Sequence, residues 1–219
     1  MEADFALTEE LTDLHRLGLH IDWNGEKLSF SPLFVPVSCD TENLMMITSV
    51  FVGASVDGFI ARLDDSLDFL PEGGGEPHGY DEFIASVDVI VIGRKTFEKV
   101  LTLGPWHYGS KRVVVLSSRP VDLSAAVGGV VEQMAGSPAD IVSRLAESGA
   151  RHAYVDGGIT IQGFLRAGLI QRLIVTRVPV LIGEGIPLFG TLPKDIPLRH
   201  VQTQTYAGGL VKTEYQVGG

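Results

Sequence analysis

From residue 45 onward the apolar positions fall in short continuous runs rather than spread over long helical faces. The runs are MITSVFVGA (46–54), VDVIVIG (87–93), RVVVLSS (112–118), HAYVDGG (152–158) and RLIVTRVPVLIG (172–183). They are rich in β-branched residues and end on Gly or Ser, the pattern expected of strands covered on both faces. Between them, segments 80–86, 96–101, 138–148 and 160–167 carry helical spacing. Strand and helix in alternation predict an α/β fold with a mostly parallel central sheet flanked by helices. The last run, RHVQTQTYAGGLVKTEYQV (199–217), alternates strictly and turns at Gly208-Gly209, which predicts a C-terminal antiparallel hairpin. No internal repeat is present.

Residues 1–44 follow a different pattern, with one short amphipathic segment at 8–17 and then an apolar, Pro-containing patch, SPLFVPV (31–37). We therefore divide the chain into an N-terminal extension, 1–44, and a domain, 45–219. The extension reads either as a start placed ahead of a native Met45 or Met46, or as a regulatory or dimer-covering arm. The first is preferred, because nothing in the segment has catalytic spacing.

Composition narrows the function. The chain has 219 residues and a formal charge of −10, with 27 acidic and 17 basic side chains. Such a surface is repelled by nucleic-acid phosphates and anionic lipid, so the expected partner is a small molecule, not nucleic acid or membrane. The apolar stretch 44–56 is broken by Thr48, Ser49, Gly53 and Ser55 and is too short to span a bilayer. A single cysteine, Cys39, excludes an internal disulfide and fits a reducing, cytoplasmic setting. Six histidines show no metal-ligand spacing, and no metal is expected. There is neither a Walker loop nor a G-x-S-x-G elbow.

Three strand ends carry candidate chemistry. Gly93 precedes Arg94, Lys95 and Thr96, with Thr96 standing where a helix cap belongs; free N–H groups and two cations there would favour an anion. Ser117, Ser118 and Arg119 follow another strand, and Gly157-Gly158 opens the helix containing Thr160. Each alone has a plain alternative: a turn glycine, an ordinary cap, a solvated basic pair, a loop. Together they would line the groove outside the carboxyl ends of the strands, where α/β sheets bind nucleotides.

The ordered set resembles the dihydrofolate-reductase-like superfamily. GRKTFE (93–98) is similar to its GR-x-T-x-E signature, LSSRP (116–120) to the next strand end, and VDGG (155–158) to the paired-glycine turn. SVDGFIA (55–61) and PVLIGEGIPLF (179–189) resemble the reductase of riboflavin biosynthesis, the RibD C-terminal domain family, more than folate reductases. The resemblance implies an NADPH-dependent oxidoreductase. Arg94 and Thr96 would hold the 2′-phosphate side and pyrophosphate, Ser117 and Ser118 the adenosine phosphate, and Gly157, Gly158 and Thr160 the pyrophosphate backbone contacts. Gly53 and Ile60 would border the nicotinamide. The basic Arg94 and Lys95, in place of an acidic ribose partner, independently favour NADPH.

The implied reaction is hydride transfer to a pyrimidine- or pteridine-like heterocycle, of the 5-amino-6-(5-phosphoribosylamino)uracil reductase type. Where folate reductases place a carboxylate on the first helix, counting back from GRKT reaches Gly79, which counts against dihydrofolate reduction. Asp57 reads either as the catalytic polar group or as a turn residue beside Gly58. Tyr80 and Phe83 would stack on the substrate or fill the core. The alternatives are a dihydrofolate or pterin reductase and a non-catalytic NADPH-binding regulatory protein. Similar reductases are homodimers, and the apolar VPVLIG segment gives that expectation some support. GGG at 73–75 reads as a mobile loop over the site mouth.

Overall fold

The computed structural model describes residues 19–23, 28–32, 46–71, 78–126 and 128–218. The expectations for 8–17, for 33–37 of the apolar patch and for GGG at 73–75 lie outside them. The chain divides into two compact units, Met1–Leu44 and Met45–Gly219. In the first, β1 (Leu19–Trp23) and β2 (Leu28–Pro32) form an antiparallel ribbon, Leu19 opposite Pro32 and Trp23 opposite Leu28. The apolar pattern had not announced this ribbon.

The second unit is built on an eight-stranded sheet. In chain order its strands are β3 (Ile47–Ser55), β5 (Val89–Gly93), β6 (Arg112–Leu116), β7 (Val130–Met134), β8 (His152–Asp156), β9 (Arg172–Val178), β11 (Leu198–Thr205) and β12 (Val211–Val217). The spatial order is β11-β12-β9-β3-β8-β5-β6-β7. From β9 to β7 all neighbours are parallel, while β12 pairs antiparallel with β9 and β11 with β12. This is the mostly parallel sheet with a C-terminal antiparallel hairpin that the pattern predicted. Two short strands, β4 (Phe59–Ala61) and β10 (Ile186–Pro187), pair beside the main sheet.

Helices α1 (Tyr80–Ala85), α2 (Arg94–Thr102), α3 (Pro138–Glu147) and α4 (Gly158–Arg166) follow the strands. They cover both faces of the sheet, which explains the unbroken apolar runs. Within β5, Val89 and Val91 join a core with Ile141, Leu145, Ile161 and Phe164 from α3 and α4. Ile90 and Ile92 join a second core with Phe83 and Phe97 from α1 and α2. Successive residues of a strand point to opposite faces, so one five-residue run feeds two cores. The start of α3 is set by a capping box: Ser137 accepts from the Asp140 N–H, and Asp140 accepts from the Ser137 N–H, with Pro138 in the first turn.

Candidate active site

The parallel strands end at one edge of the sheet, and there a cleft of about 980 Å³ opens. Its centre is made by two helix beginnings set face to face. Gly93 caps α2 and Gly157 caps α4, neither with a side-chain cap bond, so the N–H groups of both first turns are left for other partners. Gly157 has φ of 92°, a backbone state that favours glycine. A Cβ at Gly157 would lie 2.2 Å from Thr96 Oγ1 on α2, and one at Gly93 would lie 2.9 Å from Thr160 Oγ1 on α4. Each helix thus places a threonine hydroxyl against the bare glycine of the other. Thr96 is therefore not the cap of α2; the helix starts two residues earlier, at Arg94, and the Thr96 hydroxyl is turned toward Gly157. Two positive helix ends, two hydroxyls and backbone that no Cβ obstructs suit a chain of phosphates.

Arg94 and Lys95 line the same cleft. The Arg94 guanidinium is held by Glu98 one turn on, at 2.6 Å, and remains partly exposed. Arg94 also borders a neighbouring recess of about 310 Å³ with Arg119 and Asp122. Ser117 and Ser118 do not line the cleft. Ser117 Oγ accepts from the Arg119 N–H and donates to the Arg119 carbonyl, and Gln133 on β7 binds the same turn, so the hydroxyl is occupied locally. Ser118 is exposed.

Gly53 and Ile60 lie on the cleft wall. Ile60 packs close to buried Gly158, where a Cβ would meet Ile60 Cδ1 at 3.2 Å. Further in, Tyr80, His107, Tyr108, Tyr154 and Asp156 form a polar and aromatic floor. Asp156, the last residue of β8, accepts from the Gly157 N–H at 2.7 Å. Burial raises its carboxyl above the usual range, against the lowering effect of that N–H and of the Tyr154 and Tyr108 hydroxyls. Burial, with the nearby Asp156 and Asp81 charges, pushes Tyr80 up to about 12, so it stays a neutral phenol. The Tyr154 hydroxyl donates to the Phe51 carbonyl at 2.9 Å and fixes the floor to β3.

Two residues singled out in the sequence sit elsewhere. Asp57 is not on the cleft; its carboxylate accepts from the backbone N–H groups of Ile182, at 3.1 Å, and Gly183, at 2.7 Å. The Ser55 hydroxyl and these amides keep it below its ordinary range. The structure gives it the turn-holding role that was its alternative. Phe83 is buried, 4.9 Å from Phe51 and 5.2 Å from Tyr154 between ring centroids, and belongs to the core, whereas Tyr80 reaches the cleft. Asp156 was the residue that sequence reasoning passed over, although it stands in the VDGG motif directly before the glycines. Among the described residues no cluster of His, Cys, Asp and Glu could hold a metal ion, and no helix is long and apolar enough to cross a membrane.

Comparison with known proteins agrees with this geometry. The uncharacterized protein YwjB of Bacillus subtilis (strain 168) is 31% identical over 171 residues, 77% of this chain and 96% of YwjB. A Shewanella sp. PV-4 protein assigned to riboflavin biosynthesis superposes with a TM-score of 0.74 at 33% identity, over 80% of this chain and all of that one. Dihydrofolate reductase from Enterococcus faecalis, solved with NADP(H) and RAB-propyl, has a TM-score of 0.56 at 17% identity, over 80% of this chain and 98% of that one, and shares the fold. Residues 47–212 match the RibD C-terminal domain, and the chain belongs to that family, whose fold is dihydrofolate-reductase-like.

Proposed function

We propose that the protein is an NADPH-dependent reductase of the 5-amino-6-(5-phosphoribosylamino)uracil reductase type, reducing a C=N or C=O bond of a pyrimidine- or pteridine-like substrate. The observation that carries the reading is the reciprocal packing of Thr96 on Gly157 and Thr160 on Gly93, an anion cradle that a side chain at either glycine would fill. Membership of the RibD C-terminal domain family supports a reductase of the riboflavin-pathway kind. Gly157, Gly158 and the first turns of α2 and α4 would hold the pyrophosphate. Arg94 and Lys95 would meet the 2′-phosphate, and Gly53 and Ile60 would border the nicotinamide. When bound, NADPH supplies a hydride.

The chain's own part is to orient, to exclude water and to supply a proton. Reduction of a C=N or C=O bond puts hydride on carbon and a proton on the heteroatom. The raised carboxyl of Asp156, on the cleft floor, is suited to give that proton. Tyr80 presents a flat neutral face for a heterocycle. We place the enzyme in the cytoplasm, as a homodimer, acting on a small molecule. The absence of a carboxylate at Gly79, which caps α1, favours this reading over dihydrofolate reduction.

The test is NADPH oxidation by the purified full chain against pyrimidine, pterin and flavin precursors. Turnover of a pyrimidine substrate carrying a ribosylamino group supports the proposal. Binding of NADPH without turnover of any of them would instead make the chain a non-catalytic sensor.

A further inference from the structure

At the edge of the sheet away from the cleft, where the parallel strands begin, stands a half-buried imidazole that the proposed chemistry does not use. His152 opens β8, and both of its ring nitrogens are engaged. Nδ1 lies 3.0 Å from the Ser86 carbonyl and 3.4 Å from the Ser86 hydroxyl, which gives its own proton to the Phe83 carbonyl at 2.7 Å. Nδ1 therefore faces acceptors only and must carry a hydrogen. Nε2 lies 2.7 Å from Ser49 Oγ on β3. In the neutral ring this nitrogen is the acceptor, and the Ser49 hydroxyl donates to it. Ser49 is fully buried, and among the described residues His152 is the only partner of its hydroxyl.

The ring fastens a helix with little of its own to hold it. α1 runs only from Tyr80 to Ala85, and Gly79 at its start makes no side-chain cap bond. A helix this short is not stable alone, so its place depends on tertiary contacts. Phe83 packs into the core, edge-on to His152 at 5.9 Å between ring centroids. At the helix end, Lys111 Nζ donates to the Ala85 carbonyl at 3.3 Å and the Val87 carbonyl at 2.6 Å, and His152 takes the Ser86 carbonyl between them. The first residue of the same helix, Tyr80, lies on the cleft floor.

A proton on Nε2 would disturb this joint in two ways. It would set N–H against O–H at Ser49, whose hydroxyl could accept only by turning its own hydrogen into a buried place without an acceptor. It would also add a cation near Arg172 and Lys111. Arg172 is tied to Glu214 at 2.6 Å. Asp88 is the acid beside the ring, and its carboxylate already accepts from the Arg151 and His152 backbone N–H groups at 2.8 and 2.9 Å. The acids of α1, Asp81 and Glu82, stand in its first turn, at the other end of the helix. Burial pushes the imidazole below the ordinary histidine range; Arg172 and Lys111 add to this, while the Ser86 carbonyl and Asp88 oppose it.

We propose that His152 is an acid-sensitive latch on α1. Neutral, it ties the end of the helix to β3 through Ser86 and Ser49; protonated, it releases that end and with it the placement of Tyr80 in the cleft. The latch does not depend on which ligand the cleft takes. Its contribution is full above the ordinary histidine range and is lost as pH falls through the lower folded-state value. Between those two values the opening of α1 rises by about tenfold per pH unit.

Titration of the full chain from pH 7.5 to 5 tests this, with the His152 ring followed by NMR and the Ser86 and Val87 amides, bonded within the last turn, followed by hydrogen exchange corrected for its intrinsic rate. At pH 7.5 the ring is neutral with its hydrogen on Nδ1, and it titrates below the ordinary histidine value. Protection of the two amides falls by about tenfold or more across the range, while amides of β5 and β6 keep theirs. His152→Asn, whose amide can still donate to the Ser86 carbonyl, makes the protection independent of pH. Ser49→Ala, which removes the donor that favours the neutral ring, raises the His152 midpoint. A ring that is charged or carries its hydrogen on Nε2 at pH 7.5, flat protection in the wild type, or a fall that persists in His152→Asn overturns the proposal. Should His152→Asn fail to fold, Ser49→Ala decides: an unchanged His152 midpoint there overturns it equally.

Discussion

Asp156 sits where β8 hands the chain to the Gly157 turn, with three tyrosines and His107 around it on the cleft floor. In the sequence it stood in plain view within VDGG, yet the motif was legible only for its glycines. Burial raises its carboxyl, and the aromatic floor around it is drawn from α1, from the segment after α2 and from within β8; no one-dimensional spacing brings Tyr80, Tyr108 and Tyr154 together. Asp57 shows the converse: an acid beside a turn glycine looked chemical, but its lone pairs are spent on the Ile182 and Gly183 amides. The raised carboxyl has a pH consequence of definite sign. Its folded-state value lies above the unfolded one, so its contribution to stability is present below the ordinary aspartate range and is lost as pH rises through the raised value. The proton that the proposed reaction would take from it is lost over the same interval. Asp156→Asn should therefore lower kcat by roughly 100-fold or more and abolish the alkaline fall in the pH–rate profile. Retention of that fall in the variant would assign it to another group.

At the scale of elements, the strands were read well because the sheet is covered on both faces and each run feeds two cores. The central parallel strands and the hairpin are where the apolar runs placed them. β7 was missed because VVEQM carries two polar residues on an edge strand with little apolar signal. The run 172–183 stops being a strand at Val178, ahead of Pro179, whose ring removes a ladder donor. The start of α2 was misread for a different reason: Thr96 has the chemistry of a cap, but its hydroxyl is used across the cleft against α4, a contact visible only once both helices are placed. That contact makes Gly157→Ala a sharp test of the facing helix ends. The substitution meets a positive φ and the Thr96 hydroxyl at once, and should cost about 1–3 kcal/mol in urea unfolding. NADPH affinity should drop by roughly tenfold or more, since the proposed pyrophosphate contacts would depend on this backbone. Unchanged affinity would remove Gly157 from the cofactor site.

For the molecule as a whole, the −10 charge and the basic pair at Arg94-Lys95 bear on different questions. The net charge argues against polyanion partners, while the local pair lines the cleft and, under the proposed function, would set which dinucleotide enters it. The family, the parallel sheet and the two glycine-opened strand ends that meet at the cleft could be read from ordered motifs because such ends are local features. The cleft floor could not, because Tyr80, His107, Tyr108, Tyr154 and Asp156 come together only in the fold and are ordinary when taken singly. Under the proposed function the facing ends of α2 and α4 bind NADPH through its phosphates, with Arg94 at the 2′-phosphate. Titration of the wild type and of Arg94→Ala with NADPH and NADH, read by tryptophan fluorescence, tests it most directly. Saturable quenching is expected, with NADPH binding tighter than NADH by about tenfold or more and that difference largely gone in Arg94→Ala. No saturable quenching by NADPH, or an Arg94→Ala variant that weakens both nucleotides equally, would contradict it.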